Sequence, residues 1–105
     1  MNEIIVLDIA GERALVHAAN SFQRRELRRI GFAEGLDDRM VMPLHDDDAR
    51  VRVVVRLIDL GALFSDGRDW CPAALVHYYR EQSLIKGSFR VITWRNPEEF
   101  FVSTQ

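Results

Sequence analysis

Asp46-Asp47-Asp48-Ala49-Arg50-Val51-Arg52-Val53-Val54-Val55-Arg56-Leu57-Ile58-Asp59-Leu60-Gly61 is the stretch on which the fold turns, because it carries two periods at once. With a helical period, Val51, Val54, Val55 and Ile58 follow the i, i+3, i+4, i+7 rule, and Arg52, Arg56 and Asp59 share the opposite face. The aspartates then supply an N-cap and an acidic first turn suited to the helix dipole, and Gly61 closes the helix. With a period of two, Arg50, Arg52 and Arg56 alternate with Val51, Val53, Val55 and Leu57, and the β-branched content suits a strand. The cap at one end and the glycine at the other favour the helix over residues 50–58.

The flanks are easier to read. Glu3–Ala10 is apolar and β-branched, Gly11-Glu12 has the form of a two-residue type II′ turn, and Ala14–Ala18 returns as a second strand. Asn20 with Gln23 resembles a capping box, and Phe22, Leu27 and Ile30 fall within ~140° of one helical face. Gly31 sits where a left-handed C′ residue is wanted, and Phe32 can fold back onto Leu27. After a Gly/Asp-rich loop, Arg39–Leu44 reads as a short strand, placed at a sheet edge because Pro43 cannot donate to a ladder. Downstream of Gly61, Ser65–Asp69 reads as a turn. Pro72 opens a helix with Leu75, Val76 and Tyr79 as its buried stripe, ending near Ser83. Phe89–Trp94 alternates as a half-buried strand, Asn96-Pro97 turns the chain, and Glu99–Ser103 returns.

The resulting order, ββ-α-β-α-α-ββ, predicts one α+β domain over residues 1–105, a small two-layer packing of helices on an antiparallel sheet with hairpins at both ends. The last six elements also follow the order of a winged helix-turn-helix, so a winged-helix-like arrangement of residues 20–105 is the alternative.

Composition narrows the classes of function. The chain has 105 residues, 48% of them hydrophobic, with 14 basic against 16 acidic side chains, which suits one ordinary globular domain rather than a basic nucleic-acid coat. No uncharged apolar run approaches the ~18 residues of a membrane span, and the N-terminus does not resemble a secretory signal. Cys71 is the only cysteine, so no intrachain disulfide can form and a reducing, cytoplasmic location is expected. All but one of the basic residues are arginine, Lys86 being the exception, as a GC-rich coding sequence or selection for bidentate anion contacts would produce.

Few residues offer chemistry. The Asp46–Asp48 run beside His45 lacks the spacing of a calcium loop and is accounted for by helix capping. Cys71 and His77 stand six apart and do not share a face, so they do not form a nucleophile–base pair. No phosphate loop, Gly-x-Ser-x-Gly elbow or Cys-x-x-Cys is present, and no cofactor or metal is implied.

The strongest feature is electrostatic. Arg24, Arg25, Arg28 and Arg29 project away from the Phe22/Leu27/Ile30 stripe, with Glu26 the only acid on that helix. Such a face suits an anion or an acidic protein surface. Trp70, His77, Arg80, Arg90, Trp94 and Arg95 form a second candidate contact surface, since interfaces favour Trp and Arg. The expectation is therefore a small non-catalytic binding protein whose partner is a protein with an acidic surface. A winged-helix nucleic-acid binder is the alternative, and an enzyme with an unrecognised site the third reading. Replacing Arg24, Arg25, Arg28 and Arg29 together by Gln is expected to change stability by no more than about 1 kcal/mol, measured by urea unfolding, if these arginines serve contact rather than the fold.

Overall fold

The computed structural model describes residues 3–66 and 71–105. Among them, three helices and seven strands follow in the order β1 (Ile5–Asp8), β2 (Arg13–His17), α1 (Ser21–Ile30), β3 (Ala33–Glu34), β4 (Arg39–Pro43), α2 (Asp47–Asp59), β5 (Leu63–Asp66), α3 (Pro72–Glu81), β6 (Arg90–Asn96) and β7 (Glu99–Thr104). The strands form one sheet ordered β3-β4-β2-β1-β5-β6-β7. The α+β two-layer domain is as expected, with antiparallel hairpins β1–β2 and β6–β7 at its two ends.

The sheet is mixed rather than antiparallel, because β5 pairs in parallel with both β1 and β6. Where the sequence predicts a turn from Ser65, the chain is still extended as far as Asp66, and residues 67–69 of that expected turn lie outside the described segment. This strand also displaces the winged-helix arrangement. A helix-turn-helix needs a short turn between its second and third helices, and here β5 enters the middle of the sheet between α2 and α3.

Alternation along the strands sorts the side chains onto two faces. Val6, Ala14, Val16, Met40, Phe64 and Val91 point to one side and pack with Leu27 of α1, Val53, Val54 and Leu57 of α2, and Ala73, Val76 and Tyr79 of α3. The other side carries a smaller buried group, Ile5, Leu63 and Ile92, with Leu7 against it and none of the described helices over it. Leu63 and Phe64 are thus adjacent, on opposite faces, and both buried.

Local chemistry at the helix ends follows the sequence. Asn20 Oδ1 accepts the Gln23 N–H at 2.9 Å, while Gln23 Oε1 accepts from Ala19 at 2.6 Å, one residue earlier than a strict capping box. Gly31 takes φ +126°, and Phe32 N–H donates to the Leu27 carbonyl at 3.0 Å, closing α1 with Phe32 buried. At α2, Asp46 Oδ1 accepts from Ala49 at 2.7 Å. Arg50, one turn in, donates to the carbonyls of Ile9 at 2.8 Å and Gly11 at 2.7 Å and pairs with Asp47, which also accepts from Tyr79. One guanidinium thereby ties α2 to the β1–β2 connection.

Three local expectations need correction. The β1–β2 link is Ile9–Glu12 rather than a type II′ turn at Gly11-Glu12: Gly11 is not among the positive-φ residues, the register shifts beyond Val6, and Ile9 is fully buried. The strand carrying Pro43 is one place in from the edge, but β3 pairs only with Met40 and Val41, so Pro43 lies past its reach. On α2 the buried residues are Val53, Val54 and Leu57, and Val55 is left exposed.

Phe64→Ala should cost about 3–5 kcal/mol in urea unfolding, because it empties a fully buried ring site that Phe89 also lines edge-on at 5.8 Å. Asn20→Ala should cost about 1 kcal/mol through the lost cap.

Candidate interaction site

The arginine face of α1 is largely occupied by the protein's own acids. Arg24 reaches Asp38 at 3.1 Å and lies 3.9 Å from Glu34; Arg28 bonds Glu34 at 2.7 Å; Arg29 meets Glu26 at 3.4 Å. These acids come from β3 and the turn after it, apart from Glu26 one turn back on the helix itself. Arg24 is the most enclosed of the four, and its Nε is buried without a hydrogen-bond partner. Its share of the Gln-substitution cost should exceed that of exposed Arg25. Arg24, Arg28 and Arg29 are thus each paired with an acid of the chain itself, and Arg25 is exposed.

What the structure adds is a cleft beside this face. Between α1 and α2, over Met42 of β4, lies an open groove of about 510 Å³, with Ile30, Met42, Val51 and Val55 supplying its apolar surface. Arg29 stands on the α1 wall, and Arg52 and Arg56 on the α2 wall. Neither Arg52 nor Arg56 has an acid partner among the described residues. The groove exists because α2 is apolar over a wider arc than the core can cover. Val53, Val54 and Leu57 fill the core, leaving Val51 and Val55 at the helix flank. Both valines belong to the stripe expected to be buried: Val51 is partly buried against the core, whereas Val55 is exposed. A smaller cavity of about 210 Å³ adjoins it, sharing Arg29, Ile30 and Arg56 and adding Glu26, Asp59 and Leu60.

The second expected surface is divided between the two sides of the sheet. Pairing places Arg90 and Trp94 on the face without helices, where Arg90 donates to Glu3 at 3.0 Å and to the Gly61 carbonyl. His77 and Arg80 lie on α3 against Phe89, with the His77 ring 4.9 Å from it and the Arg80 guanidinium 5.5 Å from its centroid. Arg95 approaches Glu99 at 3.9 Å near the hairpin turn. Trp70 lies outside the described residues. The adjacent pair Phe100 and Phe101, which a strand must turn to opposite faces, stands beside Trp94: Phe100 packs 5.2 Å from its ring, and both phenylalanines and Val102 are well exposed.

Chemistry is sparse in these surfaces. The larger groove is lined by the guanidinium groups of Arg29, Arg52 and Arg56 and otherwise by hydrocarbon and the Met42 thioether. Cys71, at the N-cap of α3, donates to Asp66 Oδ1 at 2.7 Å, and Thr93 donates to the other carboxylate oxygen at 3.2 Å. Burial, and next the bond to Asp66, push the Cys71 thiol above its ordinary value. No helix among the described residues is long and apolar enough to cross a membrane, and they contain no group of three or more His, Cys, Asp or Glu placed to hold a metal ion. Compared with known protein families, with curated proteins and with solved structures, the chain matches none of them.

A raised thiol pKa favours the neutral form in the folded protein. As pH rises past the thiol's unfolded value, the unfolded chain ionises first, and the folded state loses stability until the folded value is passed. Iodoacetamide should therefore alkylate Cys71 at pH 8 more slowly in the native protein than in urea. Cys71→Ser should flatten part of the stability decline on the alkaline side, as followed by urea unfolding at stepped pH.

Proposed function

We propose that this protein is a non-catalytic binding module that captures an acidic, amphipathic segment of another protein in the α1–α2 groove. The observation that carries the reading is the combination of an apolar cleft with Arg29, Arg52 and Arg56 on its walls, two of them without internal acids. An amphipathic helix laid in such a groove would bury its apolar side on Ile30, Met42, Val51 and Val55 and set carboxylates against the guanidinium forks. A nucleic-acid backbone offers phosphates to the arginines but no match for the hydrocarbon between them. The net charge of −2 likewise supports a local rather than a general attraction for anions. Action in the cytoplasm accords with a lone cysteine carried as a free thiol.

Amide-shift titration provides the test, with three probes: a helical peptide bearing Leu on one face and Glu on its flanks, the same peptide with Lys for Glu, and a short mixed-sequence DNA duplex. The acidic peptide should shift residues 29–30, 42 and 49–56, the basic peptide should not, and Arg52→Glu with Arg56→Glu should weaken binding at least about tenfold while leaving the melting temperature unchanged. Silence with the acidic peptide would overturn the reading. Salt-sensitive shifts with DNA along residues 72–95 would favour a nucleic-acid partner instead.

A further inference from the structure

The two edges of the sheet are built differently. At one, β3 is two residues long and ends at Glu34, whose carboxylate is engaged by Arg24 and Arg28. At the other, β7 runs for six residues, and every side chain from Phe100 to Gln105 is uncharged. Sheet edges are ordinarily blunted by shortness, charge, proline or a bulge. Over Phe100–Thr104 this one carries none of these, and the register shift in the β6–β7 pair lies beyond it at the Trp94/Asn96 end.

The hydrogen-bond phase of β7 is known. Phe89 and Gln105 exchange both backbone bonds, at 3.0 and 2.8 Å, so Gln105 faces inward. With Val91 opposite Ser103 and Thr93 opposite Phe101, the inward set is Phe101, Ser103 and Gln105. Phe100, Val102 and Thr104 therefore turn their N–H and C=O groups to the free edge, and their side chains lie on the sheet face that no helix covers.

We propose that this edge pairs with a second copy of the same chain, antiparallel, about a twofold axis at Val102. That register uses all three outward positions: Val102 meets its symmetry mate, and Phe100 meets Thr104 of the other copy on either side. Six backbone hydrogen bonds close the join. Side chains agree with the register on both faces. Phe100 lies diagonal to the other Val102 on the open face, and the two Phe101 rings lie diagonal to each other on the helix side. Side-chain charge agrees as well, since Glu99 falls opposite Gln105 and no acidic side chain faces another. A neutral, self-complementary edge suits a copy of itself better than a strongly charged foreign strand. Phe100, Phe101 and Val102, now 44%, 60% and 43% exposed, are the side chains such a join covers. With their backbone they bury roughly 600–800 Å² in total, short of the ~1,200 Å² of a stable interface, so the dimer is reversible.

Sedimentation velocity over a concentration series, combined with amide hydrogen exchange, tests this. The 12.2 kDa chain should double its mass with a midpoint on the order of 10–100 µM. Protection should rise with concentration at Phe100, Val102 and Thr104, while Phe101 and Ser103 are already protected in the monomer. Val102→Pro removes only an outward N–H, and Val102→Lys sets two like charges together at the axis. Both should shift the midpoint at least about tenfold upward with an unchanged circular dichroism spectrum. A wild type monomeric to about 1 mM would overturn the proposal, as would a Val102→Pro protein that dimerises like wild type, or a dimer without protection at those three amides. Because β7 contributes nothing to the α1–α2 groove, the acidic-peptide titration succeeds or fails independently of this outcome.

Discussion

Leu63 and Phe64 carry the architecture. They form the start of a four-residue strand that is buried on both faces and hydrogen-bonded on both sides, to β1 and to β6. Everything before it is an antiparallel set built from β1, β2, β3 and β4, and the hairpin β6–β7 lies beyond it. Without this strand the two sets share no ladder. The chain enters it through bonds that leave little freedom: Ala62 N–H to the Leu57 carbonyl, Leu63 N–H to the Ile4 carbonyl, and the Gly61 carbonyl held by Arg90. Gly61 itself takes φ +75°, which permits the abrupt change from helix to strand.

That join also decides where function can reside. A parallel strand inserted between α2 and α3 keeps the three helices on one side of the sheet, and on the other side, among the described residues, the buried hydrophobic group is Ile5, Leu63 and Ile92. Three helices over a seven-stranded sheet must each choose which residues to bury, and α2 cannot bury every valine it has. The groove at Val51 and Val55 and the open face at Trp94, Phe100 and Val102 are two results of one arrangement, with more apolar surface than the helices cover. Arg50 contributes from the other side, fixing the start of α2 to the carbonyls of Ile9 and Gly11, so that the α2 wall of the groove is held at its N-terminal end.

Elements bounded by local chemistry were legible in the sequence. The Asn20 cap, the Gly31 closure, Pro72 at the first turn of α3 and the Asn96 turn are each specified within a few residues, and each stands where its chemistry required. The ambiguous stretch resolved as a helix for the reason its ends implied, Asp46 capping one and Gly61 following the other. What escaped depends on distant partners. Leu63–Asp66 is too short to show a period, and only its neighbours Ile4–Val6 and Arg90–Thr93 make it a strand. Ala33–Glu34 is likewise defined by β4 alone. Helix periodicity places the four arginines on α1, but Glu34 of β3 and Asp38 of the turn after it, which pair with Arg24 and Arg28, arrive by a chain reversal that the periodicity does not describe.

The parallel joins have a kinetic consequence. Hairpins β1–β2 and β6–β7 can zip from their own turns, but Ile5 meets Leu63 only after two helices and three strands have intervened. Loop-closure entropy must be overcome before that pairing contributes anything, and the search lengthens with the sequence separation of the partners. On topology the two seams of β5 are therefore expected to form late, after the N-terminal antiparallel set. Until β5 docks, the edge of β1 and the apolar pair Ile5 and Leu7 stand open to other chains, and the nascent protein is most vulnerable to misassembly along the line that later becomes its centre.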